Sequence, residues 1–229
     1  MLLLAAETSL GMIFLIVPEE AYHEGEQIFA ELDITKKAWK KEIEQWGISV
    51  YSKNIKKGTG KMGLVRSVVE GDVESIVHEG WTGVDDMKNW DPNVDFSEVV
   101  LNLTEHIDIV RYGNNDILLI TSREFVAVRI YRPIPGGGYL MACRSVRVDD
   151  DVPIKKDKIR ADLLILAMRT RPYAKNPDTH VQIDVIISAD IKGMLPKAIV
   201  NQVFPKVVMI EAEHYLKHYH DLRRKWGFE

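Results

Sequence analysis

Apolar and polar positions along this chain follow two rhythms. Over short runs they alternate with a period of two, as on a half-buried strand. That pattern predicts strands at residues 48–53, 64–70, 97–104, 107–112, 123–132, 139–148, 159–168 and 181–189. Elsewhere the spacing is three to four. Ala21, Ile28, Ala30, Leu32, Ala38, Trp39, Ile43 and Trp46 recur among Glu and Lys, which predicts helix over residues 18–45. Asp33 or Thr35 would cap a second segment of it, and Gly47 would end it. Residues 71–92 read as short helices, with Asp72 as a cap and Pro92 as a stop. From residue 196 to 225 a long helix is predicted. Ile199, Val203, Val207, Ile210 and Tyr215 form its apolar stripe, widened by Val208, Ala212, Leu216, Tyr219 and Leu222. Pro196 suits the first turn of that helix, whereas Pro205 falls inside it and should kink it.

Turn signals fit this division. Pro133-Ile134-Pro135-Gly136-Gly137-Gly138 joins two strands as a hairpin connection. Gly58-Thr59-Gly60-Lys61-Met62-Gly63 matches G-x-G-x-x-G, but a strand pattern follows it where a dinucleotide site needs a helix, so it reads as a hairpin turn. Successive strands without long helices between them imply antiparallel pairing, with the helices on one face. The expected fold is a single α+β domain with a strongly curved sheet over residues 18–229. Residues 1–17 form an apolar segment, loose or packed. It is too short and too interrupted to span a bilayer, and a targeting or export function for it stays open.

Composition narrows the function classes. The chain has 229 residues, enough for one sizeable core. A net charge of −4 provides no global basic field for nucleic acid. Cys143 is the single cysteine, which rules out an internal disulfide and a cysteine zinc site and fits a reducing, cytoplasmic or membrane-peripheral setting.

Five short motifs occur in order: Trp90-Asp91-Pro92; Ser122-Arg123-Glu124-Phe125-Val126; Ser145-Val146; Ile159-Arg160-Ala161; and Asp190-Ile191-Lys192-Gly193-Met194-Leu195-Pro196-Lys197. With them the chain resembles the START family of StAR-related lipid transfer domains over roughly residues 36–226. The resemblance implies a helix-grip fold, in which a curved antiparallel sheet wraps a hydrophobic tunnel closed by the C-terminal helix. It further implies a usually non-enzymatic domain that holds one lipid (a sterol, a phospholipid or a similar molecule) and carries it between membranes. The chain is expected to act as a monomer, to touch membrane surfaces transiently and to use no cofactor. Met194 stands where the family often has Trp, Pro205 interrupts the lid, and residues 113–121 lack the usual prolines.

A lipid site needs apolar walls and a few polar groups. Phe125, Ala127 and Arg129 share a strand face, as do Ile107, Ile109 and Arg111, and Val185 and Ile187 on the last strand. An arginine in phase with apolar neighbours is costly unless paired. In the family, the position of Arg129 is an inward arginine that often pairs with an acid on a neighbouring strand. Arg129, joined by Arg111, is therefore the candidate for the cargo's polar end, with a structural ion pair or a snorkelling arginine as the alternatives. Arg123 reads as structural. Ile199, Val203 and Val207 would face cargo from the lid, with Gly193, Pro196 and Pro205 as hinge candidates. The basic cluster Lys217, His218, His220, Arg223, Arg224 and Lys225 would meet headgroups or simply end a solvated helix. Glu211, His214 and His218 share a helical face but match no metal motif, so they read as surface residues. Two other function classes stay open: a helix-grip enzyme of the cyclase or hydrolase kind acting on an apolar substrate, and a lipid-sensing module.

Overall fold

The computed structural model describes residues 9–223, with side chains from residue 14 onward. Helix α1 (Ser9–Ile34) is followed by the strands β1 (Lys40–Gln45), β2 (Ile48–Asn54) and β3 (Lys61–Glu70). Helix α2 (Val73–Thr82), a 3-10 turn (Gly83–Asp86) and the one-turn helix α3 (Met87–Trp90) come next. Then follow β4 (Val94–Asn102), β5 (Ile107–Asn114), β6 (Arg123–Ile134), β7 (Gly138–Ser145), β8 (Ile159–Arg160), β9 (Asp162–Pro172), β10 (His180–Asp190) and helix α4 (Lys197–Arg223). The sheet order is β1-β2-β3-β10-β9-β7-β6-β5-β4. Every pairing along it is antiparallel, and β8 adds one parallel pairing to the start of β6.

The expected fold class is observed: α+β, a curved antiparallel sheet with a long C-terminal helix. The strand predictions hold within a few residues. The Gly58–Gly63 stretch lies in the β2–β3 hairpin, and Asp72 caps α2 by accepting from the Ser75 N–H at 2.8 Å. Two expectations are corrected. The helix expected to reach residue 45 ends at Ile34, and Lys40–Gln45 is the edge strand β1. Its Lys and Glu are good helix formers in isolation, but charged residues also suit an exposed sheet edge. At its other end α1 begins by Ser9 and runs through Pro18; residues 1–8 lie outside the described part.

The second correction concerns the faces. Helices cover both sides of the sheet. Ala21, Tyr22, Ile28, Phe29 and Leu32 of α1 pack on the outer face, against Val128, Ile130, Leu140, Ala142, Ile165, Ala167 and Ile186. Gly25 permits the close approach: a Cβ there would lie 3.1 Å from that of Ala167. Helix α4 lies on the inner face, where Val208, Met209 and Ala212 meet Ile48, Val50 and Val65. Among the described residues no helix is long and apolar enough to cross a membrane.

Candidate functional site

Between the inner face and α4 lies a cavity of about 340 Å³, at the low end of the ~300–1,000 Å³ typical of small-molecule sites. Its walls alternate out of the strands as period two requires. Phe125 and Arg129 come from β6, Met141 and Cys143 from β7, Leu166 and Met168 from β9, and Ile183, Val185 and Ile187 from β10. The lid contributes Val200, Phe204, Val207, Glu211, Tyr215 and Tyr219. The lining is therefore mostly apolar, with a few polar groups at defined places.

Arg129 does line the cavity, and it is an ion-paired residue at the same time. Asp108, its register partner on β5, accepts from Nε at 2.8 Å and from Nη2 at 2.5 Å. The carbonyls of Gly80 and Trp81 accept two further bonds, at 3.2 and 3.0 Å, and the Trp81 ring lies 4.3 Å from the guanidinium. A bidentate carboxylate, two carbonyls and an aromatic face are what a buried guanidinium requires.

Arg111 is elsewhere. Ile107, Ile109 and Arg111 do share a face, but it is the outer one. There Arg111 donates to Glu124 at 2.9 Å and to the Pro153 carbonyl at 2.7 Å. Glu124 is fully buried and also accepts from Arg160 at 3.0 Å. Burial alone would raise its carboxyl, yet the bonds from Arg160, Arg111 and the Lys155 N–H hold it below the usual range. Arg111 thus anchors the loop before β8.

The other candidates divide. Phe125, Val185, Ile187 and Val207 line the cavity. Ala127 faces inward but is buried beneath Phe125, Cys143 and Leu163. Ile199 and Val203 do not line it, because the cavity-facing stripe of α4 runs Val200, Phe204, Val207, Glu211, Tyr215. Gly193, at φ +79°, belongs to the turn before α4, and the Pro196 carbonyl accepts the helix's first bonds, from Ile199 at 2.9 Å and Val200 at 3.2 Å. Pro205 lies within one continuous helix.

Arg123 also lines the cavity and joins two loops. It donates to the carbonyls of Thr121 (2.5 Å), Ser122 (3.4 Å), Ile191 (2.7 Å) and Lys192 (3.4 Å), and to the Thr121 hydroxyl. Burial pushes its pKa down, and the charge of Asp116 opposes that.

The histidines read as surface residues are seam residues. His214 Nδ1 lies 2.8 Å from Asp91 Oδ1, and His218 Nε2 lies 2.7 Å from Glu79 while its ring stacks on Trp90. Arg223 pairs with Glu70. His218 and Arg223 therefore pin α4 to the wall, and Lys217 and His220 remain exposed. Arg224 and Lys225 lie outside the described residues. Among the described residues no group of three or more His, Cys, Asp or Glu could hold a metal ion.

Glu211 and Tyr112 were missed as site residues. Glu211 sits on the lid's inner stripe, and its Oε1 accepts from Asn93 Nδ2 at 2.9 Å. Burial, then the charge of Asp91, pushes its carboxyl up to about 7. The signal was present in the sequence: Val207, Glu211 and Tyr215 are four apart, an acid interrupting an apolar stripe.

A curved sheet closed over an apolar cavity by a C-terminal helix defines the helix-grip class of fold. The sequence model of the START domain matches residues 20–225, and the chain belongs to that family. It is 36% identical over 208 residues to the steroidogenic acute regulatory-like protein 1 of Caenorhabditis elegans, covering 90% of this chain and 79% of that one. It is 29% identical to the mitochondrial steroidogenic acute regulatory protein of Bos taurus, covering 80% of this chain and 64% of the bovine one. The structure is similar in fold to human StAR-related lipid transfer protein 5, with TM-score 0.78 at 19% identity, covering 90% and 98% of the two chains. A StAR-related lipid transfer protein fragment from Xanthomonas axonopodis gives 0.67 at 19% identity, covering 80% and 99%.

Proposed function

We propose that this protein binds one hydrophobic lipid in the cavity under α4 and carries it between membranes, as a monomer that touches a membrane surface transiently. The observation carrying this reading is the apolar cavity itself, walled by Phe125, Val185, Ile187 and Val207, with Arg129 among its few polar groups. The START family and the names of its relatives support it. Burying a few hundred Å² of apolar lipid surface supplies several kcal/mol at ~25 cal/mol per Å². That gain can offset removal from a bilayer only while the lid is shut, so release needs α4 to move. Pro205, which lacks the N–H for a helical bond, and the Gly193–Pro196 joint are where the reading places that motion.

The enzyme reading gains nothing from Cys143. The thiol lines the cavity, but burial pushes it up to about 12, which keeps it protonated and a poor nucleophile. The test is native mass spectrometry of the purified protein after incubation with liposomes, followed by organic extraction. One lipid per chain is expected, and a protein that stays empty across sterol and phospholipid vesicles would overturn the reading.

A further inference from the structure

A second cluster of charged side chains lies away from the cavity, on the outer face of the sheet where α1 ends. Arg66 on β3, Asp184 on β10 and Arg169 on β9 stand in one register row, and Gln182 and Arg171 follow in the next row of that face. Asp33, in the last turn of α1, accepts from Arg169 Nη1 and Nη2 at 2.7 and 2.9 Å. The Phe29 ring of α1 lies 4.4 Å from the same guanidinium. Beyond Asp33 the helix stops, so Arg66 and Arg171 are left partly open to solvent, with side chains 23% and 33% exposed.

The cluster holds more donors than acceptors. Asp184 is fully buried, and its Oδ2 takes Arg169 Nη2 at 3.0 Å, Arg66 Nη2 and Gln182 Nε2 at 3.1 Å, and Arg171 Nη2 at 3.4 Å. Four donors crowd an oxygen with about two lone pairs to offer. Arg169 Nε is buried with no partner at all. Among the described residues Arg66 Nη1 and Arg171 Nε have no acceptor either, since Arg66 donates through Nε and Nη2 and Arg171 through Nη2. Charge is unbalanced in the same sense. Lys36 lies 5.8 Å from the centre of the Tyr51 ring on the adjoining β2 and adds a cation at the rim. Glu31 and Glu44, on the flanking α1 and β1, are paired with Lys53 and Lys41. Four cations therefore share two carboxylates, Asp33 and Asp184.

What this shelf lacks is acceptor oxygens and negative charge. A cation would be repelled, and a neutral hydroxyl would leave the excess charge standing. A phosphate monoester supplies three acceptor oxygens and about −1.5 to −2 of charge near pH 7, which matches the deficit on both counts. Guanidinium forks also suit phosphate geometry better than a point-charge ammonium does. The spacing fits as well: β3 and β9 flank β10 and stand about 10 Å apart, so two arginine side chains reach toward each other over Gln182. We propose that this shelf binds a phosphate monoester, Arg66 and Arg171 donating to its oxygens from the two sides of Gln182. A soluble phosphorylated molecule and a lipid with a monoester headgroup present the same chemistry. The proposal stands apart from the carrier reading, because the shelf and the cavity lie on opposite faces of the sheet.

The test titrates the full chain calorimetrically with inorganic phosphate, against chloride at matched ionic strength. Saturable binding of phosphate and none of chloride is expected. Arg171→Gln should weaken it about tenfold or more, the worth of one hydrogen bond to a charged group. Arg171 touches Asp184 through a single 3.4 Å bond, so this variant keeps the fold. Arg147→Gln, at an exposed arginine paired with Asp162 elsewhere, should bind as the wild type does. A second arm finds the source of the phosphate by sedimentation with phosphatidylcholine vesicles doped with phosphatidic acid, a monoester, or with phosphatidylserine, a diester. Preference for phosphatidic acid, lost in Arg171→Gln and displaced by inorganic phosphate, supports the proposal with a lipid headgroup as ligand. Equal behaviour toward the two vesicles, with phosphate bound in the titration, supports it with a soluble ligand. A phosphate titration no different from chloride, or the same affinity in Arg171→Gln as in Arg147→Gln, overturns the proposal and leaves the carrier reading untouched.

Discussion

The ion pair inside the cavity wall makes a quantitative prediction. Asp108 and Arg129 are register partners on neighbouring strands, with side chains only 2% and 6% exposed. Arg129→Leu leaves a buried carboxylate without its cation, and Asp108→Leu leaves a buried guanidinium held only by carbonyls and the Trp81 ring. Removing one member of a buried pair costs about 3–5 kcal/mol. In a domain of this size 1 kcal/mol moves Tm by about 2–4 °C. Each single variant should therefore melt roughly 6–20 °C below wild type. The double variant Asp108→Leu/Arg129→Leu buries no unpaired charge and should be more stable than either single one, giving a large coupling energy in the double-mutant cycle. Thermal unfolding followed by circular dichroism, with urea titrations as a check, measures all four corners. Single variants that melt with the wild type, or losses that simply add, would refute the reasoning. Lipid capture by the refolded double variant then reports on Arg129 as a cargo contact, free of the stability effect that a single substitution brings with it.

Two further outcomes follow from α4 and its seam. Glu211 titrates near 7 where an exposed glutamate does so near 4.5, because burial and then Asp91 disfavour its charge. The stability that its proton contributes is complete below the unfolded value, about 4.5, and is lost as pH rises through about 7, a swing of roughly 3 kcal/mol. Urea midpoints should fall across that window in the wild type and stay flatter in Glu211→Gln; parallel profiles would contradict the assignment. Gly63 on β3 sits under Phe204 of α4, and an added Cβ would lie 3.1 Å from the ring. Gly63→Val should cost about 1–3 kcal/mol by overpacking and expose α4 to protease, and a variant as stable and as resistant as wild type would refute the close lid contact.

How far the sequence revealed this depends on the element. Strand existence was legible because period two survives wherever one face differs from the other. Which face lines the cavity was not legible. On β6, residues 123–130 are buried without a break, since α1 covers the outside and α4 with its cavity covers the inside. A strand buried on both faces loses the alternation that would tell in from out, so Arg111 and Arg129, each in phase with apolar neighbours, looked alike. One points at Glu124 and the other lines the cavity, paired with Asp108. On α4 the apolar residues are broad enough that two stripes one residue apart both fit, which is why Ile199 and Val203 were favoured over Val200 and Phe204. The short strand β1 was unreadable for another reason: its pairing with β2 outweighs the helix preference of Lys and Glu.

The cavity itself links stability to cargo. Unfilled apolar volume costs a fold about 24 cal/mol per Å³, so about 340 Å³ corresponds to roughly 8 kcal/mol, a large part of the ~5–15 kcal/mol that holds a domain together. The space exists because the two helices are committed to different places. Helix α1 is spent on the outer face, while α4 is seated by Val208, Met209 and Ala212 over β2 and β3, and the cavity remains between its Val200–Tyr219 stripe and the inner-face residues of β6, β7, β9 and β10. A lipid that fills the space restores the missing contacts, so the loaded protein should be the stable one. At a free cargo concentration one hundred times Kd the gain is about 2.7 kcal/mol, or about 5–11 °C in Tm at the size scaling used above. Differential scanning fluorimetry of delipidated protein, with and without cargo, measures it. A Tm unmoved at that concentration would mean that the cargo does not bind the folded chain in preference to the unfolded one, as when α4 collapses into the space and excludes it. The gain assigned to cargo burial would then fall with it.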